Sequence, residues 1–292
     1  MTRDDRLLVI ATALLAGFLA VEVTVALIVH SLALLADAGH MVTDVVALAA
    51  AVVAARLSRR PAFGHWTFGL ARAEVLSALF NGVTLVVVAV LITAESIRRL
   101  VTPADPDGKA MIIVGLVGLG VNVIAALVLS RTERRSMNVA GAMAHVVTDA
   151  YGFAAAVISG VVILTTSWAR ADPVASLLLV LLLLHAARRL LTASGRVLLE
   201  AAPSDVDMAL VREHLLEAEY VVGVHDLHVW TVASGLPALS VHVVIADDCF
   251  TTGRAPVLLD ELQACLAGHF DVEHSTFQLE PAGHSDHEAA LH

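Results

Sequence analysis

The stretch LALLADAGHMVTDVVALAAAVVAAR, residues 32–56, decides how the chain is read. It is long and apolar enough to span a bilayer, which takes about 20 helical residues, yet it carries Asp37, His40 and Asp44. A carboxylate at mid-bilayer costs about 2.5–3.5 kcal/mol on insertion scales, so such residues need a reason to be there. A second stretch, NVAGAMAHVVTDAYGFAAAVISGVVILTT at residues 138–166, supplies one. It repeats the unit His-x-x-x-Asp, so that His40/Asp44 is matched by His145/Asp149. Residues four apart lie on one helix face, about 6 Å apart along the axis. Two such faces brought together offer two imidazole nitrogens and two carboxylate oxygens, a tetrahedral set suited to Zn²⁺. As helix glue the repeat makes little sense, because facing carboxylates repel unless a cation lies between them. Asp37, one turn before His40, reads equally as a structural residue or as a functional one, an outer partner of this set or part of the ion's path.

Further apolar segments of spanning length lie at 7–29, 73–97, 109–130 and 172–191, which makes six spans. The chain is 58% hydrophobic and only 16% charged, where a soluble globule carries about 25% charge. The first segment lacks a small-residue cleavage site and reads as a membrane helix, not a signal peptide. Six spans put both termini on one side. Arg3, Arg6, Arg56, Arg59, Arg60, Arg72, Arg131, Arg134, Arg135, Arg188, Arg189 and Arg196 fall on that side, which makes it cytoplasmic. Arg98 and Arg99 lie on the other face and weaken the bias without reversing it. Within the spans, Glu22, Asn81, Asn122 and His185 read equally as helix glue or as functional groups. Gly115, Gly118 and Gly120 on the fourth span suit close helix packing. Arg72 and Glu74, at the start of the third, read as a structural ion pair.

The texture changes near Pro203. Helical spacing over 205–219, alternation over 223–231 and 239–245, helical spacing over 257–268 and alternation over 272–280 predict an αββαβ order. The expected organisation is a six-helix membrane domain at 1–199, a cytoplasmic α+β domain of ferredoxin or metallochaperone type at 200–281, and a polar tail at 282–292. The charge divides accordingly. Residues 1–200 hold 16 Lys and Arg against 13 Asp and Glu, whereas residues 201–292 hold 2 against 15, so the soluble part carries −13 of a total of −10. It also holds nine of the fourteen His. An acidic, His-rich domain fits a cation as partner and not nucleic acid. The two Cys, Cys249 and Cys265, form no CxxC and imply no disulfide framework.

Several stretches resemble the cation diffusion facilitator family. They are Ala36-Asp37-Ala38-Gly39-His40-Met41-Val42-Thr43-Asp44, Phe68-Gly69-Leu70-Ala71-Arg72-Ala73-Glu74, Asn138 to Asp149, Ala171-Asp172-Pro173, and Val224-His225-Asp226-Leu227-His228-Val229-Trp230. The resemblance runs from about residue 8 to 281 with the motifs in order. It implies a homodimer that exports Zn²⁺, and in some members Cd²⁺, Co²⁺, Fe²⁺ or Mn²⁺, against protons. It implies a transport site on His40, Asp44, His145 and Asp149, the zinc-preferring version of the pair. It also implies a cytoplasmic metal site at His225, His242 and His274, with Glu280 resembling the carboxylate of vesicular relatives and His228 as an extra candidate. Such a site would be regulatory, zinc neutralising the acidic domain and tightening the dimer. The alternative is that His225 and Asp226 cap a turn and His242 is an ordinary strand residue. A further family site in the loop after the second helix falls here on Phe63, Trp66 and Leu70, none of which can ligate, with only His65 nearby. The short loop at 131–136 has no His, unlike many eukaryotic relatives, which favours a bacterial inner-membrane protein. His284, His287 and His292 make either a metal-collecting tail or plain solvated residues.

Imidazole must be neutral to bind metal and ordinarily titrates near pH 6.5, so metal loading expels protons and protonation releases metal. The chain shows no HExxH and no nucleophile arrangement, which argues against an intramembrane metalloprotease or other enzyme. Zn²⁺/proton exchange is therefore the leading expectation. The alternatives are export of Cd²⁺, Co²⁺ or Fe²⁺, or a membrane-anchored metal sensor that uses only the cytoplasmic histidines.

Overall fold

The computed structural model describes residues 3–29, 32–102, 107–132, 137–270 and 274–284; at 3, 25–27, 29, 32–40, 43 and 267–269 it describes backbone alone. The chain divides into two compact units, Met1–Gly195 and Arg196–His292.

Six long helices build the first unit: α1 (Arg3–Val29), α2 (Leu32–Leu57), α3 (Ala73–Val101), α4 (Gly108–Leu129), α5 (Met137–Thr166) and α6 (Ala171–Leu198). The shortest, α4, has 22 residues, or about 33 Å at 1.5 Å per residue, against a hydrocarbon core of about 30 Å. Among the described residues, α1 and α3 to α6 each hold a window long and apolar enough to cross a membrane. With α2 they make a multi-pass six-helix membrane bundle. The helix α6 runs one to two turns past the predicted end at 191, which carries Arg196 into its last turn.

Small residues let the helices approach. Leu8, Ala11 and Leu15 of α1 pack with Leu48 and Ala51 of α2, Ala125 and Leu129 of α4, and Ala142 and Val146 of α5. A second cluster joins Leu85, Val88 and Ala89 of α3 to Val180, Leu183, Ala187 and Leu190 of α6. Along the α4–α5 contact, a Cβ on Gly118 would lie 2.5 Å from the Phe153 ring, and one on Gly115 would lie 2.7 Å from Val157. Only glycine fits there. Gly120, expected to share that role, is exposed and meets nothing within 4 Å. Its place on the helix turns it away from α5. Arg99 reaches Asp172 at 3.2 Å and ties α3 to α6, and Arg59 after α2 pairs with Asp5 of α1.

In the second unit, α7 (Met208–Leu216), β1 (Val221–Ala233), β2 (Leu236–Ile245), α8 (Asp248–Thr252), α9 (Ala255–Phe270) and β3 (His274–Glu280) follow in order. The sheet order is β1-β2-β3, with β1 antiparallel and β3 parallel to β2. One sheet face, with Val224, Val229, Leu239, Val241, Val243 and Ile245, packs on Val211 and Leu215 of α7 and Leu258, Leu262 and Leu266 of α9. The first helix is shorter than the predicted 205–219. Asp207 stops it at the start by accepting from the backbone N–H of Ala209 and Leu210 at 2.9 and 3.4 Å. The hairpin turns at Gly235, φ +69°, and β2 starts three residues earlier than the alternation indicated, at Leu236. The short α8 was not expected from the sequence.

Candidate metal centres

The first centre lies between α2 and α5. His145 is 1% exposed and Asp44 is 4% exposed, both within the spanning helices. His145 Nδ1 stands 3.3 Å from Asp44 Oδ1, and among the described residues neither ring nitrogen has an aligned hydrogen-bond partner. That spacing is longer than a good charge-assisted hydrogen bond. It matches the separation of roughly 3.3 Å that tetrahedral Zn²⁺ imposes on neighbouring ligand atoms. Asp149, one turn further along α5, is half-buried. The backbone puts Asp37 and His40 on α2 within one to two turns of Asp44. The side chains of Asp37 and His40 lie outside the described residues.

The second centre lies on the outer face of the sheet. His225 and His242 are directly paired across β1 and β2, with ring centroids 5.0 Å apart. Glu280, at the end of β3 and 1% exposed, reaches both. Its Oε2 is 3.1 Å from His225 Nε2, and its Oε1 is 2.7 Å from His242 Nδ1. The Gln278 amide donates to the same Oε1 at 2.8 Å and fixes the carboxylate. These three residues, with ligand atoms all within 4.8 Å of one another, form the only such metal-capable group among the described residues. Two imidazoles and a carboxylate suit Zn²⁺, and opening the contacts by a few tenths of an ångström would seat the ion.

The sequence reading placed His274 in this set. The structure pairs His274 with Ala238, four residues along the strand from the row that joins His242 to Gln278. At about 3.3 Å per residue this is roughly 13 Å away. Parallel pairing of β2 with β3 brings the end of β3, and so Glu280, to the histidine pair. His228, the extra candidate, reaches the outer face through an irregularity in β1. A bulge between His225 and His228 sets three residues of β1 against two of β2, with Asp226 at φ +44°. His228 therefore shares the outer face with His225 and His242, one pair further along and opposite Ser240. Asp226 makes a bulge and not a turn cap, with its Oδ2 4.0 Å from His225 Nδ1.

His65 is exposed in the loop after α2. That loop closes on itself through paired backbone bonds between Phe63 and Trp66 at 3.2 and 2.9 Å. Among the described residues, no group of metal-ligand type assembles around it. His284 is exposed, and His287 and His292 lie outside the described residues.

Comparison with known proteins agrees over almost the whole chain. The cation efflux transmembrane domain matches residues 8–199, and the cation efflux protein cytoplasmic domain matches residues 203–282. The zinc transporter ZitB of Escherichia coli is 40% identical over 95% of this chain and 88% of its own length. The metal cation efflux system protein CzcD of Cupriavidus metallidurans is 39% identical over 99% and 90%. A cadmium, cobalt and zinc/H(+)-K(+) antiporter of Bacillus velezensis is 32% identical over 97% and 90%. A solved structure, the metal-bound C-terminal domain of the CzcD transporter, is 39% identical and covers 26% of this chain and 99% of its own, with a TM-score of 0.24. The chain belongs to the cation efflux, or cation diffusion facilitator, family.

Proposed function

We propose that this chain exports Zn²⁺ from the cytoplasm in exchange for protons, as a homodimer in a bacterial inner membrane with both termini cytoplasmic. The observation that carries this reading is His145, which is buried in a spanning helix, has no aligned partner on either ring nitrogen among the described residues, and stands at ligand spacing from Asp44. An imidazole used only to glue helices would carry an interhelical hydrogen bond. The names of the three relatives include zinc or metal cation, and one names protons. Cd²⁺ and Co²⁺, which one relative's name includes, are the competing substrates.

The proposed cycle follows from ligand chemistry. Zn²⁺ arrives from the cytoplasm, sheds water, and is held by His40, Asp44, His145 and Asp149, with Asp37 on its path. Only neutral imidazole ligates, so loading requires these groups to give up protons. Once the helices open the site to the far side, protons driven by the gradient recapture the ligands and the ion leaves. In the cytoplasmic unit, His225, His242 and Glu280 would hold a regulatory Zn²⁺. An ion there would brace three strands and offset part of the −13 charge of residues 201–292. His228 shares the sheet face but stands opposite Ser240, on the other side of the His242 row from Glu280, and outside the group of close ligand atoms; His274 and His65 are not part of this set either.

The test is Zn²⁺ flux into proteoliposomes under an imposed pH gradient, with Cd²⁺, Co²⁺ and Mn²⁺ alongside. Uphill Zn²⁺ flux with counter-flowing protons is the expected result. A wild type that carries nothing, yet binds Zn²⁺ tightly through the cytoplasmic unit, would replace this reading with the sensor.

A further inference from the structure

Three polar side chains of the membrane unit have no role in the exchange described above. Asn81 of α3 is 0% exposed, Asn138 of α5 is 1% exposed, and Ser77 of α3 is also buried. Among the described residues, neither amide atom of Asn81, neither amide atom of Asn138, nor the Ser77 hydroxyl has a hydrogen-bond partner. Each buried polar group left unsatisfied costs about 1–3 kcal/mol. Helix glue would explain buried asparagines by a bond between helices, and these five atoms make none among the described residues.

Their placement is specific. Asn81 Nδ2 lies 2.9 Å from the point where a Cβ on Gly141 would stand, so the amide fills the space that this glycine leaves. Gly141 is one turn before His145 on α5, and Asn138 is one turn before Gly141. Ser77 is one turn before Asn81 on α3, and the buried carboxylate of Glu74 is one turn before Ser77. The polar groups thus run from the helix starts at Ala73 and Met137 toward His145 and Asp44. The amides lie roughly 6–11 Å before His145 along the helix axis, on the side that the Arg bias makes cytoplasmic.

We infer that Asn81, Asn138 and Ser77 form an entry subsite that holds a hydrated divalent cation before it reaches Asp44 and His145, an inference that rests on the exchange reading above. Amide and hydroxyl oxygens accept hydrogen bonds from the water around a cation, and the amide N–H groups donate to water oxygens. Neutral oxygen donors hold such an ion weakly and with little choice between metals. Selection and dehydration are left to the imidazole and carboxylates one turn further on. The subsite contains no group that must lose a proton, so its contribution is independent of pH, unlike that of the His/Asp set.

The test uses the full chain in proteoliposomes, with the apparent KM for Zn²⁺ measured from the cytoplasmic side. Asn81→Leu and Asn138→Leu keep the branching and heavy-atom count and remove the polar atoms. Each is expected to raise KM roughly three- to tenfold, the worth of one net hydrogen bond. Maximal flux and its pH profile should stay as in wild type. The unfolding midpoint in detergent should stay level or rise, because the unsatisfied atoms are gone. Asn81→Ser, which restores an oxygen, should recover most of the KM. A wild-type KM in both leucine variants would overturn the subsite. So would a raised KM accompanied by a fallen unfolding midpoint, which marks a structural role. Should a leucine variant fail to insert, Gly141→Ala carries the test. Its Cβ displaces the Asn81 amide and should raise KM likewise, and an unchanged KM there overturns the inference. Absence of flux in wild type would instead be the failure of the exchange reading, and the subsite would fall with it.

Discussion

The two candidate metal centres differ in how their ligand-type atoms are placed. In the membrane, His145 and Asp44 are sealed from solvent and stand at 3.3 Å, with the imidazole nitrogens unaligned to any described partner. On the cytoplasmic sheet, Glu280 already contacts both His225 and His242, at 3.1 and 2.7 Å, and both rings are partly exposed. The first set lies on two separate helices, whose relative movement can open or close it. The second is pinned by three neighbouring strands of one sheet. A site on movable elements can release its ion, whereas a site on one sheet is suited to retain and report it.

That contrast breaks most sharply at the membrane ligands. His145→Ala and Asp149→Ala should each abolish Zn²⁺ flux, and His40→Ala should do the same. The loss should be at least about a hundredfold, since even residues behind a metal ligand cost 10–100-fold when removed. Zn²⁺ binding by the cytoplasmic unit should persist in all three. Metal-dependent proton release in detergent checks the assignment directly: equal release by wild type and Asp149→Ala would remove Asp149 from the site.

Glu280→Gln attacks the other side of the comparison. Zn²⁺ at a hundred times its Kd should stabilise the wild-type cytoplasmic unit by about 2.7 kcal/mol through linkage. The variant should lose most of that gain, since the carboxylate that joins the two histidines becomes a neutral amide, while flux at saturating Zn²⁺ continues. Calorimetric titration with the unfolding midpoint measures the lost gain, and proteoliposome uptake measures the flux. A variant that binds as wild type would place the ligands elsewhere on the sheet. A smaller effect is expected at His274. Because it pairs with Ala238, four residues from the His242 row, His274→Ala should leave affinity within a chain unchanged within about threefold.

How much of this was legible in the sequence follows from the kind of signal each residue carries. Apolar runs of 22 to 30 residues mark spanning helices whatever their neighbours do, so α1 to α6 were readable to within a few residues except at the end of α6. The paired His-x-x-x-Asp units were equally plain, because a fixed helical period sets which side chains share a face. Strand faces are less secure. One inserted residue at Asp226 reverses the alternation beyond it, and that is how His228 came to the outer face. Glu280 and His274 sit six residues apart on the same strand, and only the register of β3 against β2 tells which meets the histidine pair. Asn81 was visible as a polar residue in a span, but its lack of partners among the described residues is a property of packing that no single sequence shows.

The two cysteines allow the comparison to be read from one unit alone, since both lie in the cytoplasmic part and none lies in the membrane helices. Cys249 is 1% exposed within the core beneath the sheet. Burial pushes its thiol above the usual range, with the Asp248 charge adding to the rise, and burial also raises Cys265. The thiolate is the reactive form, so alkylation at neutral pH should be slower than for a free thiol. The raised folded-state value means that the folded unit holds the proton more tightly than the unfolded one. Its stabilising contribution is therefore full below the ordinary thiol range near pH 8.5 and is lost as pH rises through and above it. Alkylation of Cys249 should accordingly follow opening of the cytoplasmic unit and quicken above that pH. Zn²⁺ bound by His225, His242 and Glu280 favours the closed unit, so it should slow alkylation in wild type and in Asp149→Ala, but far less in Glu280→Gln. Mass spectrometry of the labelled peptide gives the rate. Slowing by Zn²⁺ that survives Glu280→Gln and vanishes in Asp149→Ala would mean that the membrane centre, not the sheet, governs the stability of this unit.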